Sequence, residues 1–259
     1  MKINNILSCM VSAALIIFSA CERVIDVDLN SSNPALVAEG GISNVGMDTI
    51  RLSRTVNYDE KNIFPPVMGA ILTITDDLGN SILLPEVLSG LYYSSESYGE
   101  PSRKYAMEII TETGTYTSVS EMPYPAEIDS VYLDNGIFGS KYLKVLFHDS
   151  AGIDNYYRIL HSINGVPDRS IEISSDMLQD GEDKTYFIYK GREEVSQGDT
   201  ISVFLQSIDK PVYEYFRTLS MSLGGGGSTA PANPISNIRD NALGYFSAYS
   251  VRSKTMIVP

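Results

Sequence analysis

Apolar and polar residues alternate one for one through much of the chain, a period of two that belongs to half-buried β-strands. The alternation begins at Ile25, Val27 and Leu29, set against Asp26 and Asp28, and returns at Ile50 and Leu52. It continues at Ala70, Leu72 and Ile74, then through Leu91 to Ser94, Lys104 to Thr111 and Thr115 to Ser120. Between Thr75 and Ser81 the tract TDDLGNS offers Gly79 for positive φ, which predicts a hairpin turn. Short strands broken by turns predict a β-sandwich.

A stiff connector follows at EMPYPAE, Glu121 to Glu127, where two prolines mark a domain boundary. A second run of strands covers Ile128 to Leu133, Leu143 to Phe147, Tyr156 to Ile163, Thr185 to Tyr189 and Ile201 to Leu205. One helix interrupts it, over about 209–223. Asp209 caps its start, Pro211 suits the first turn, and Val212, Phe216, Leu219 and Leu223 fall on one stripe. Gly224 to Gly227 ends the helix, STAPANP reads as an extended loop, and Ala242 to Val258 resumes as strand. The expected architecture is all-β, with two sandwich domains over 21–122 and 127–259. The first is transthyretin-like or Ig-like, and the second is fibronectin-III-like and carries the helix.

The N-terminus breaks this rhythm. Lys2 precedes an uncharged apolar run, Ile6 to Ala20, too short to span a bilayer, so residues 1–20 are expected to be a signal peptide. Phe18-Ser19-Ala20-Cys21 is similar to a bacterial lipobox, in which Cys21 becomes the first mature residue and carries lipid. Cys9 lies inside the removed segment, which leaves Cys21 as the one remaining thiol and allows no intramolecular disulfide. Each buried acyl methylene contributes about 0.8 kcal/mol, so two or three chains would anchor the protein firmly.

The formal charge of −13, or −14 once Lys2 is lost, is spread along the chain. It makes nucleic acid an unfavourable partner and favours a soluble monomeric body. There are 17 Tyr and no Trp, a composition that suits strand faces better than Trp-built sugar platforms.

Candidate chemistry is sparse. His148 and His161 sit in no metal motif, no G-x-S-x-G elbow is present, and no thiol is left to act as nucleophile. Asp26, Asp28 and Asn30 mimic the start of a calcium loop, but Ser31 and Val37 stand where Gly and Glu are required. Asp76 and Asp77 read as turn residues. GGGGST, Gly224 to Thr229, lacks the lysine of a phosphate loop and reads as a flexible linker. No catalytic residue, metal site or cofactor is expected. Four Asp-Ser/Thr-aliphatic triplets place candidate O-glycosylation sites at Thr49, Ser130, Ser150 and Thr200.

Six segments carry a family resemblance: CERVIDVDL at Cys21, GAILTITDDLGN at Gly69, IDSVYL at Ile128, FHDSAGIDNYYRI at Phe147, GDTISVFLQSIDKPVYEYF at Gly198 and APANPISNIRDNALGYFSAYSV at Ala230. Together they resemble the Bacteroidota outer-membrane lipoproteins grouped as domain of unknown function 4249. The resemblance implies an outer-membrane location and a TonB-dependent barrel transporter as partner, and it implies no catalytic residue. The expected role is therefore a lipid-anchored binding or accessory protein in nutrient uptake, with specificity in loops near 224–237 and 92–103. A structural or adhesive surface module is the alternative, and a carboxylate-based hydrolase ranks last.

Overall fold

The structure, a computed structural model, describes residues 33–46, 48–57, 60–95, 99–177, 180–191, 194–223 and 233–259. The expected signal peptide, Cys21, the strand at Ile25 to Leu29 and the 224–232 part of the glycine-rich linker lie outside the described residues. Residues 34–259 form one compact unit. No helix among the described residues is long and apolar enough to cross a membrane.

The fold is an all-β sandwich arrangement built as two layered halves. In the first half, β1 (Leu36–Ser43), β2 (Asp48–Arg54), β5 (Glu86–Leu88) and β6 (Leu91–Ser94) pair in the order β5-β6-β2-β1. Opposite lie β3 (Ile71–Asp76), β4 (Ser81–Leu84), β7 (Lys104–Thr111) and β8 (Gly114–Glu121), in the order β4-β3-β7-β8. Alternation sends Ile50, Leu52, Leu72, Ile74, Met107 and Ile109 into the core between these sheets. Fully burying each such side chain contributes about 1.5–3 kcal/mol.

The second half stacks β9 (Ile128–Asn135), β10 (Lys141–His148) and β14 (Asp183–Lys190), ordered β14-β10-β9, against β11 (Tyr156–Ile163) and β15 (Thr200–Ile208). Two short strands, β12 (Val166–Pro167) and β13 (Glu172–Ser175), add to β11. Leu143, Val145, Phe147, Ile159, Val203 and Leu205 fill this second core.

One strand joins the halves. β16 (Leu243–Ile257) pairs in parallel with Val37 to Ser43 through Leu243 to Tyr249, then antiparallel with Thr200 to Ser207 through Ser250 to Ile257. The chain beyond residue 127 thus completes the first sandwich as well as the second: Ile238, Phe246 and Ala248 belong to the first core.

The hairpin turn forms as expected, with Gly79 at φ +88° and Asp76 Oδ1 accepting from the Leu78 and Asn80 amides at 2.9 Å. Helix α1 (Lys210–Leu223) starts after Asp209, whose Oδ1 accepts from the Val212 amide at 3.1 Å. Its buried stripe differs from the expected one. Val212, Tyr215 and Phe216 pack on the sheet and Leu219 is only partly covered, while Leu223 is 70% exposed. The reason lies in β16, where Tyr245 projects toward the helix and meets Tyr215 and Phe216 at ring-centroid separations of 5.0 and 4.8 Å.

Candidate functional site

The outer face of the first sandwich carries two rows of residues fixed by strand register. Tyr245, Glu39, Arg51 and Leu91 stand side by side across β16, β1, β2 and β6, and the next row holds Ser247, Gly41, Thr49 and Tyr93. Gly41 keeps the second row low. A Cβ at this position would lie 1.7 Å from the Ser247 carbonyl oxygen, so no side chain fits and the floor between Ser247 and Thr49 stays bare.

α1 packs along the β16 side of this floor and brings Phe216 to it, and beside it the outer faces of β11 and β15 present Arg158 and Gln206, which are register partners. The result is a cleft of about 340 Å³ where the two halves meet, lined by residues of both halves and of α1. That volume is at the small end of the range for ligand pockets, about 300–1,000 Å³. Arg158 stacks its guanidinium 4.0 Å over the Phe216 ring, which holds the charge in place while leaving its N–H edge for another acceptor. Among the described residues neither Arg51 nor Arg158 forms an ion pair.

Two further polar side chains stand in the cleft, and one of them lacks the partner that burial demands. Ser247 is 3% exposed, and its Oγ has no hydrogen-bond partner among the described residues. Gln206, at 8% exposure, makes no side-chain hydrogen bond among the described residues. Buried polar side chains are nearly always satisfied, so the unpartnered Ser247 hydroxyl is informative. Burial, followed by the neighbouring Glu39 carboxylate, pushes the Tyr215 phenol well above its ordinary range. Burial likewise raises Tyr249, so both hydroxyls stay protonated and able to donate at neutral pH.

A larger groove of about 660 Å³ lies between the connector and α1, lined by Val119, Tyr124, Ile153 and Pro211 among others. Its half-buried acid is committed. Asp209 Oδ2 accepts from Ser120 Oγ at 2.7 Å and from the Glu121 amide at 3.1 Å, which ties the start of α1 to β8.

The opposite outer surface, on β9, β10 and β14, is flat and aromatic. Tyr132, Tyr142, Phe187 and Tyr189 are all exposed there. Tyr142 and Tyr189 meet edge to face at 5.8 Å, and Lys144 sits 5.1 Å from the Phe187 centroid and 2.6 Å from Asp134 Oδ2.

Three carboxylates, Asp149, Asp176 and Asp180, converge within 4.8 Å, a set of hard oxygens of the type that holds calcium. Most of these oxygens are already occupied. Asp149 accepts from the Tyr157 hydroxyl at 2.5 Å and the Gly181 amide at 3.0 Å, Asp176 from the Asn155 amide at 2.6 Å, and both oxygens of Asp180 from the Gly152 amide. The cluster therefore locks the loop after β10 to the turn before β14.

His161 is buried, with Nε2 3.3 Å from Asp168 Oδ2 but without hydrogen-bond alignment, and burial lowers its pKa so that it is neutral at pH 7. Asp168 pairs with the inward-facing Lys190 at 2.8 Å. Although burial opposes it, this contact and Ser170 hold the Asp168 carboxyl well below the usual range. His148 is exposed at the end of β10 and contacts Asp183 at 2.8 Å. At the hairpin tip Asp76 and Asp77 are both engaged by Arg103, at 2.8 Å in the case of Asp76.

The four candidate glycosylation positions are scattered. Thr49 and Ser150 are exposed, whereas Ser130 and Thr200 are half-buried. In three of the triplets the aspartate holds local structure together, since Asp48 accepts from the Ser43 amide, Asp149 from Tyr157, and Asp199 from the Ser196 amide. Of the two loops expected to carry specificity, residues 96–98 and 224–232 lie outside the described residues. Tyr92 is fully buried and bonds to Ala70 and Val67. Sequence reasoning missed Arg158, Gln206 and Ser247, since each reads as a polar residue on the outward side of a strand. The adjacent glycines at 40 and 41, inside a segment otherwise suited to a strand, were the one signal that pointed there.

Several solved structures show weak overall similarity. A cytokine receptor complex shares 9% identity with a TM-score of 0.27, over 85% of this chain and 95% of that one. The adhesin InvE of Yersinia pseudotuberculosis shares 16% identity with a TM-score of 0.21, over 67% of this chain and 55% of that one. The FN1–FN3 domains of chicken CNTN1 share 14% identity with a TM-score of 0.22, over 69% and 62%. No curated protein matches the chain. A family model, by contrast, spans residues 22–255, from the residue after Cys21 into the last part of β16, and the chain belongs to that family, the domain of unknown function DUF4249.

Proposed function

We propose that the protein is a lipid-anchored binding module of the outer membrane, attached through Cys21, which seats a small ligand in the cleft between α1 and the sheet and serves a TonB-dependent barrel transporter in nutrient uptake. One observation carries the binding part of this reading: the buried Ser247 Oγ, left without a partner in a cleft that also holds Arg158 and Gln206. A polar atom that stays unsatisfied in the free protein is costly, and a ligand that completes its hydrogen bonding recovers that cost. The reading includes no reaction and no cofactor. Glycosylation, if carried, belongs at Ser150 in preference to Thr49, since Thr49 lines the cleft and a glycan there would block it.

The flat aromatic face of β9, β10 and β14 favours a second reading, an adhesive or structural surface module that uses this face in place of the cleft. A pull-down from native outer membrane in mild detergent separates the two. Tagged wild type is expected to bring down a TonB-dependent barrel, and Cys21→Ala to lose it. Lipidated protein that captures no barrel overturns the transporter part of the proposal and leaves the adhesive reading.

A further inference from the structure

We infer that the ligand of the cleft is a small organic anion bound through a carboxylate, with Arg158 as the principal contact; this rests on the cleft being a binding site at all. The chain as a whole is strongly acidic, at −13, yet the charged residues lining the cleft are two arginines and one glutamate. The Glu39 carboxylate lies near enough to Tyr215 to help keep its phenol protonated, and it forms no ion pair with Arg51 among the described residues although the two are cross-strand partners. The Arg158 guanidinium carbon lies 4.0 Å from the Phe216 ring centroid, and its planar N–H fork, which makes no hydrogen bond among the described residues, can take a carboxylate with two parallel hydrogen bonds. Ser247 Oγ–H and the Gln206 amide supply neutral donors for the same group or for a hydroxyl beside it. Tyr245 and Tyr249 supply ring surface for an apolar or planar remainder. The net charge of −13 disfavours large polyanions, and a cavity of about 340 Å³ limits the ligand to a small molecule.

The test titrates the purified full chain by calorimetry with two matched pairs, D-glucuronate against D-glucose and benzoate against benzamide. The members of each pair differ chiefly in the carboxylate. At least one carboxylate is expected to bind tenfold or more tightly than its neutral partner. Arg158→Gln is expected to remove that preference, and Arg158→Lys to recover part of it, with thermal unfolding confirming that both variants fold. Lys144→Gln, on the opposite face, should leave the preference intact. Absence of a preference in both pairs, or a preference that survives Arg158→Gln, overturns the inference. If the neutral compounds bind and Ser247→Phe abolishes that binding, the cleft is still a binding site and only its anion selectivity falls; if no compound binds, the inference falls, while the membrane pull-down judges the proposed function separately.

Discussion

The two outer faces of the molecule are built from the same alternating strands yet treat their polar groups oppositely. On β9, β10 and β14 outward charges have answers close by: Lys144 lies between Asp134 and two aromatic rings, and His148 meets Asp183. On the cleft side Ser247 of β16 is buried with its hydroxyl unpartnered among the described residues, and Gln206 on β15 and the half-buried Arg158 on β11 make no side-chain hydrogen bond there. A flat face can leave solvent to satisfy its side chains. A roofed face cannot, so its unpaired groups mark the place where another molecule would complete the structure.

The largest effect is expected at the floor of the roofed face. Gly41→Val forces a side chain into the Ser247 carbonyl, and because backbone atoms of paired strands cannot withdraw, β1 must part from β16. The loss should exceed about 4 kcal/mol in urea unfolding or prevent folded expression altogether. The roof itself is fixed by Asp209, and Asp209→Ala should cost about 2 kcal/mol by removing the helix cap and the bond to Ser120 together. Burial holds the Asp209 carboxyl above its ordinary range. The folded state therefore binds this proton more readily than the unfolded state does, and stability from this group is lost as pH rises from 3.8 through the folded value. Asp209→Asn should flatten that part of the unfolding profile. Arg158→Gln, which removes a guanidinium stacked on Phe216, should cost only about 0.5–1 kcal/mol of stability by thermal unfolding, so any larger change in ligand binding belongs to the cleft. Smallest of all, Tyr189→Ser on the flat face should cost about 0.2–1 kcal/mol and leave cleft binding unchanged. A Tyr189 variant that weakened cleft binding would erase the contrast between the faces.

Much of the fold was legible because alternation and burial say the same thing. Lys104 to Thr111 and Tyr156 to Ile163 read as strands from end to end, and the turn at Gly79 and the cap at Asp209 follow from local chemistry. The strand β1 escaped notice because Gly40 and Gly41 look like a break, and they are tolerated only because neighbouring backbones approach too closely for a Cβ. β5, β12 and β13 are two to four residues long, below the length at which a period shows. The shared use of β16 could not be read either, since a strand of 15 residues that changes partner halfway alternates like any other. The cleft was the least legible part. It depends on which outward residues a helix happens to cover, and that is a property of tertiary packing and not of spacing.

The measurement that bears most directly on the binding cleft is the unfolding free energy of Ser247→Ala beside Ser120→Ala, in the absence of added ligand. Ser120 Oγ donates to Asp209 and accepts from the Ala248 amide at 2.8 Å, so its removal should destabilise by about 1–3 kcal/mol. Among the described residues Ser247 Oγ has no partner, and its removal should stabilise the free protein by about 1 kcal/mol. A loss at Ser247 comparable to the loss at Ser120 would show that its hydroxyl is already paired, and the cleft would no longer stand as a site awaiting a ligand.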